Sequence, residues 1–197
     1  MKGVIMRKIA LTVILMSSIL MLQGCVAAVI GAGATATAKV ASDPRTTGTQ
    51  VDDTTLNSRM GMKLKNNASD FIGAHISTSA YDGNILLTGQ ANSEQIMKAE
   101  NLAHEVEGVK KVFNQIRIGE SVGGTTITND AWITTKVKSQ LVLNSNTKAR
   151  NIKVVTENGE VFLIGIVSPE EGRTAAEVSS KVNGVRKVIT LFTYPNK

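Results

Sequence analysis

One cysteine, two histidines, three prolines and 4% aromatic residues leave this 197-residue sequence with little of what catalytic and disulfide-built proteins use. A lone Cys25 excludes an intrachain disulfide and any cysteine-rich zinc spacing. His75 and His104 have Thr/Ser/Ile and Glu/Ala/Leu neighbours and read as half-exposed structural residues, with no H-E-x-x-H around them. There is no P-loop and no G-x-S-x-G, and Ser145–Lys148 spells S-x-x-K without its companion motifs. The carboxylates stand singly or at predicted helix starts, where the helix dipole accounts for them. Neither a catalytic site, a metal site nor a cofactor is expected, and no small-molecule substrate. The scarcity of aromatics means that the cores are built from Val, Ile, Leu and Ala. A strong charge of one sign is also missing. Without Lys2, Arg7 and Lys8, 19 of the 22 basic residues remain against 16 acidic ones, a net of +3. Nor is there a G-x-x-G loop to clamp an RNA backbone, so nucleic acid is not an expected partner.

The chain also lacks an apolar run long enough for a comfortable membrane span. Ile9–Leu22 is 14 residues long and follows the basic start MKGVIMRK, the pattern of a secretory signal over residues 1–24. It ends in Leu22-Gln23-Gly24-Cys25, which resembles a bacterial lipobox. The alternative is an ordinary signal peptide with a chance cysteine. Lipidation would make Cys25 an acylated N-terminus, each buried CH₂ contributing about 0.8 kcal/mol of membrane affinity. By resemblance to Gram-negative lipoproteins, Val26 rather than Asp after the cysteine implies export to the periplasmic leaflet of the outer membrane. Residues 25–50, rich in Ala, Gly and Thr, read as a tether.

What the sequence does contain is itself twice. Residues 76–118 laid on 152–194 give 11 identities in 43 positions, among them Gly83/Gly159, Leu87/Leu163, Gly89/Gly165, Gly108/Gly184 and Val112/Val188. Each copy predicts the same order of elements. Leu56, Met60 and Leu64 recur at helical spacing, as do Ile133, Val137 and Leu141. Asp52-Asp53 and Asn129 or Asp130 are the expected caps of these first helices. Asp82-Gly83 and Asn158-Gly159 suit tight primed hairpin turns. Asn92–Gln95 and Ser168–Glu171 have capping-box spacing, the latter with Pro169 at the first helical position. Gly108 and Gly184 stop those second helices before a third strand. The expected fold is α+β, with two αββαβ units over 51–119 and 128–197, joined by a linker at 120–127. In each unit the helical crossover brings the third strand parallel to the second, giving a mixed three-stranded sheet with two helices on one face.

Two such units, each with a hairpin glycine, a Leu-x-Gly pair (Leu87-Thr88-Gly89, Leu163-Ile164-Gly165) and a Gly-Val-x-x-Val close, resemble tandem BON domains. Behind a lipobox, and with Asn-Asp-Ala-Trp-Ile-Thr-Thr-Lys-Val at 129–137, the chain resembles the dual-BON lipoproteins of the outer membrane. The resemblance implies a non-enzymatic protein supporting envelope integrity, with the β-barrel assembly machinery as a possible partner and division sites as a place of action. It also implies that the first helix of the second domain binds anionic phospholipid, notably phosphatidylglycerol. Trp132, Thr135, Lys136 and Val137 match that motif.

The residues themselves point to the same helix. Residues 51–119 carry 7 basic and 8 acidic residues, residues 127–197 carry 10 and 6. The only tryptophan, Trp132, aligns with Thr55, so the shared fold does not require an indole there. With Ile133, Val137 and Leu141 turned inward, Trp132, Thr135, Lys136, Ser139 and Leu143 fall on one flank, a combination suited to a membrane interface. Lys136 and Lys138 would each add roughly 1 kcal/mol against an anionic leaflet. Packing of Trp132 between the domains or under the linker is the competing reading, and Val137 also lies on the core stripe. A docking face for a partner protein is the runner-up function, and a small-ligand carrier between the domains a third. Tyr81 is a candidate domain–domain contact or a solvent-tolerated strand end. Gly89 and Gly165 read as structural glycines.

Overall fold

The computed structural model describes residues 46–195. Cys25, the signal segment and the tether up to residue 45 lie outside the described residues. Those described belong to one compact unit, 44–197, which holds three buried apolar clusters and therefore its own cores.

The order is α1 (Thr47–Asn66), β1 (His75–Tyr81), β2 (Asn84–Ala91), α2 (Ser93–His104) and β3 (Lys111–Ile118), then α3 (Gly124–Leu143), β4 (Ile152–Glu157), β5 (Glu160–Ile166), α4 (Pro169–Ser180) and β6 (Lys187–Thr193). Each half is αββαβ with its middle strand β2 or β5 paired antiparallel to the hairpin partner and parallel to the third strand. The second helices start at the capping boxes of Asn92/Gln95 and Ser168/Glu171.

The first helices differ from expectation at their starts. α1 begins at Thr47, inside the stretch read as tether, where the Thr46 side chain accepts the Thr49 backbone N–H at 3.1 Å. α3 begins at Gly124, inside the stretch read as linker. Gly and Thr are poor helix formers, and the threonine hydroxyls that bond back to carbonyls one turn earlier, Thr54 to Gln50, Thr55 to Val51 and Thr128 to Gly124, satisfy the side chains without strengthening the helix. The expected caps are thus interior residues with another task. Asp53 is buried and its carboxylate accepts the backbone N–H groups of Asp82 at 2.7 Å and Gly83 at 2.8 Å. Asp130 does the same for Asn158 at 2.6 Å and Gly159 at 2.8 Å. In both turns the two central residues have positive φ, as a type I′ turn demands. The first helix therefore staples its own hairpin turn through one carboxylate.

Leu56 and Met60 of α1, Ile85 and Leu87 of β2, and Ala99 and Ala103 of α2 form one core. Ile133, Val137 and Leu141 of α3, with Val161, Leu163 and Ala175, form its counterpart. A third cluster is made by Tyr81 and Leu86 of the first domain with Phe162 and Ile164 of the second, flanked by Phe113, Val155, Ile189 and Leu191. Along β2, Ile85 and Leu87 face the helices while Leu86 faces the other sheet, and β5 repeats this with Val161, Phe162, Leu163 and Ile164. The two sheets thus meet on the faces their helices leave bare, giving helices, sheet, sheet, helices as layers.

Candidate functional site

The alternation that buries Ile133, Val137 and Leu141 also turns the opposite flank of α3 outward. Trp132 is 47% exposed and Leu143 is 77% exposed, and Thr135, Lys136 and Ser139 are exposed between them. Trp132 is no member of the interdomain cluster, so the competing place for its indole between the domains is not the one it occupies. Val137, by contrast, is completely buried. As a lipid contact it is corrected to a support: its isopropyl group packs inward and helps fix the rotation of α3.

The hydroxyls on this flank are turned back to the helix, Thr135 donating to the Ala131 carbonyl at 3.0 Å and Ser139 to the Thr135 carbonyl at 2.9 Å. They present a small surface with little free hydrogen-bonding demand. The Lys136 ammonium lies 5.3 Å from the centre of the Trp132 ring, a cation–π distance. Its charge is held against the aromatic face, while the indole edge and the Leu143 side chain stay accessible. Beyond the sequence-predicted residues, the flank of α3 forms one wall of a cleft of 580 Å³. The other wall is the end of α4 and the turn after it, with Lys181 and Asn183. Sequence reading of a single helix missed this second wall, because helix–helix contact is decided by the tertiary fold. The signal that exists is the replacement of Glu105 and Glu107 in the first copy by Lys181 and Asn183 in the second.

Tyr81, only 3% exposed, donates its hydroxyl to the Asn151 carbonyl of the other domain at 3.0 Å. Lys153 reaches back to the Ala80 carbonyl at 3.0 Å, Gln90 to Glu157 at 3.0 Å and Arg117 to Glu160 at 2.8 Å. Polar contacts thus ring the apolar seam. Gly89 and Gly165 occupy equivalent positions in β2 and β5. A Cβ on Gly89 would land on the His75 carbonyl oxygen, and one on Gly165 on that of Asn151. Asn151 therefore serves two close approaches with one carbonyl.

Among the described residues there is no group of three or more His, Cys, Asp or Glu that could hold a metal ion, and no helix long and apolar enough to cross a membrane. His75 Nε2 sits 3.9 Å from Glu157 at the domain seam and 3.3 Å from Ser77, so both groups meet the same ring nitrogen, whereas a Ser–His–carboxylate series needs them on opposite nitrogens.

The BON domain matches this chain twice, over residues 52–120 and 129–196. The chain is 44% identical over 182 residues to the outer membrane lipoprotein DolP of Haemophilus influenzae, covering 92% of this chain and 94% of the relative. It is 48% identical over 153 residues to a 21 kDa hemolysin of Actinobacillus pleuropneumoniae, covering 77% and 79% of the two. A more distant likeness, 27% identity over 154 residues and 76% of each chain, is to the osmotically-inducible protein Y of Escherichia coli.

Proposed function

The chain belongs to the BON-domain family, with two such domains in tandem in the manner of the DolP-type proteins, and from that premise we propose that it is a non-enzymatic lipoprotein of the outer membrane that binds anionic phospholipid through the exposed flank of α3. A relative named as an outer membrane lipoprotein supports the location, and the Leu22–Cys25 spelling supports acylation at Cys25 and the periplasmic leaflet. The single observation that carries the lipid reading is the pairing on one helix flank of a half-exposed Trp132 with Lys136 at 5.3 Å from its ring. An indole prefers the membrane interface, where its apolar body and polar N–H both find company. A lysine beside it selects negative head groups. Attachment is then two-point: acyl chains at Cys25 hold the protein, and α3 orients it and chooses the lipid. Support of envelope integrity, including at division sites, is what the resemblance to the dual-BON lipoproteins implies for a protein so placed.

The test is co-sedimentation of residues 44–197 with vesicles, comparing phosphatidylcholine alone with phosphatidylcholine plus phosphatidylglycerol, for native protein and Trp132→Glu. Binding confined to the anionic vesicles, weakened by salt and lost in a variant whose circular dichroism is native, is the expected result. Equal binding by both proteins, or by neither, removes α3 as the lipid reader. The same face would then be examined as a docking surface for an envelope assembly partner such as the β-barrel assembly machinery.

A further inference from the structure

The two domains share one fold, so the groove between the first helix and the end of the second can be compared position by position. In the first domain its cations meet carboxylates. Lys63 Nζ lies 2.7 Å from Glu105 Oε2, and Arg59 lies 3.9 Å from the Glu107 carboxylate while donating to the Glu107 carbonyl at 3.1 Å. These pairs cross from α1 to the turn after α2. Exposed as they are, they add little stability. Their consequence is a groove with its charge neutralised.

In the second domain all four positions change. Arg59 is answered by Lys136 and Lys63 by Gln140 on the first helix, while Glu105 becomes Lys181 and Glu107 becomes Asn183. Both carboxylates are gone, and one is replaced by the opposite charge. What remains is the 580 Å³ cleft, walled by Trp132, Lys136, Gln140, Leu143, Lys181 and Asn183. Lys181 has a neighbour of its own, Glu177 one turn earlier at 2.6 Å, with both side chains about 70% exposed (72% and 67%). Lys136 has the indole and, among the described residues, no carboxylate. Two ammonium groups on opposite walls with no acid between them favour an anion in the cleft. Amides beside them suit hydroxyl groups, and an indole and a leucine at the rim suit methylene chains. The volume falls in the range of ligand sites.

We propose that this cleft receives the phosphodiester of an anionic phospholipid, with Lys136 and Lys181 on the phosphate, Gln140 and Asn183 on the head-group hydroxyls, and Trp132 and Leu143 against the first methylenes of the acyl chains. The inference rests on the membrane reading above and adds to it: head-group choice depends on the end of α4, not on α3 alone.

The experiment is vesicle titration of residues 44–197 as five proteins. They are native, Trp132→Glu, Lys181→Gln, the pair Lys181→Glu with Asn183→Glu, and the pair Lys65→Glu with Asn66→Glu, which makes the same charge change on exposed residues of the first domain. Restoring the two acids is expected to lower affinity for phosphatidylglycerol vesicles by about tenfold or more, since each lysine near an anionic surface contributes several-fold. The charge-matched pair should change it by less than about threefold, since neither residue lines the cleft and charges on an exposed surface are screened by salt. Lys181→Gln, which introduces no new charge, should lie between native and the double variant. Backbone amide resonances at 181–183 should shift with short-chain phosphatidylglycerol below its micellar concentration and not with equal inorganic phosphate. If Trp132→Glu abolishes binding while the Lys181/Asn183 pair binds like native, the cleft is not the head-group site although the membrane reading stands. Equal losses in the two charge-altered pairs reduce the effect to bulk charge and overturn the site. Equal shifts with inorganic phosphate overturn the lipid as its ligand. If native protein does not distinguish the two vesicles, the membrane reading fails and the inference with it.

Discussion

The Tyr81 hydroxyl donates to the Asn151 carbonyl at 3.0 Å across the seam between the two domains, from a side chain that is almost wholly buried. This one bond ties the end of β1 to the start of β4, and it sits beside the apolar contact of Leu86 with Phe162 and Ile164. Tyr81→Phe keeps the ring and removes the hydroxyl that donates to the Asn151 carbonyl. It is expected to cost about 1–2 kcal/mol. Tyr81→Ala, which also opens a cavity in the seam, is expected to cost about 3–5 kcal/mol. Urea unfolding of residues 44–197 measures both. A single transition in the native protein that splits in two for Tyr81→Ala would show that this seam couples the domains.

Asp130 and Asp53 each hold two backbone N–H groups of a primed hairpin turn. Replacing Asp130 by Asn keeps one acceptor oxygen and turns an amide donor toward the other N–H. The expected loss is about 2–3 kcal/mol, because hydrogen bonds to charged groups are the stronger ones and a partly buried donor is orphaned. A cap at a frayed helix end would give only about 1 kcal/mol. Chemical denaturation with Asp130→Asn and Asp53→Asn separates the two roles.

Three glycines provide a graded comparison. Gly89→Ala and Gly165→Ala force a methyl onto a backbone carbonyl, that of His75 in the paired strand β1 and that of Asn151 just before β4. Both are expected to destabilise by more than about 3 kcal/mol, and at Gly89 the positive φ of 121° adds strain. Gly61, inside α1, has open space where its Cβ would be. Gly61→Ala is expected to stabilise by about 0.5–1 kcal/mol through helix propensity alone. Thermal melts of the three variants should move in these opposite directions.

Glu171 is held below the ordinary carboxylate range, first by accepting the Ser168 backbone N–H at 2.9 Å and next by the Lys148 ammonium at 3.0 Å. Its folded pKa is therefore depressed, and its contribution is fully present above the unfolded glutamate value of about 4.3. It is lost as pH falls through the folded value. Glu171→Gln should unfold at lower urea than native protein at pH 7, and the difference should narrow by pH 3. A difference that stays constant between those pH values would assign the loss to the capping geometry rather than to the charge.

Much of this arrangement is legible in local signals. The helical stripe of Ile133, Val137 and Leu141 turns Trp132, Lys136 and Leu143 outward by spacing alone. Ser168-Pro169-Glu-Glu171 starts its helix by caps that involve only neighbours. The starts of α1 and α3 were not legible, since the Gly/Thr-rich segments ahead of Asp53 and Asp130 read as tether and linker, and each aspartate reads as a cap until it meets a hairpin turn some 30 residues away, as Asp53 meets Gly83. Val137 could be placed on the lipid flank by motif and on the core by periodicity, and only packing resolved it.

The sequence by itself determined the duplicated unit, the hairpin turns and which flank of α3 stays wet, because hydrophobic period, turn glycines and caps act over a few residues. Tertiary structure decided how the halves meet and what faces Lys136. The unbroken apolar runs Ile85–Leu87 and Val161–Ile164 demand burial on both faces, but a run of side chains does not name the surface that covers it. That was settled by the mutual fit of two bare sheets around Tyr81 and Phe162. The second wall of the cleft was likewise set by the approach of α4 to α3, a contact between residues some 45 positions apart that no local period encodes.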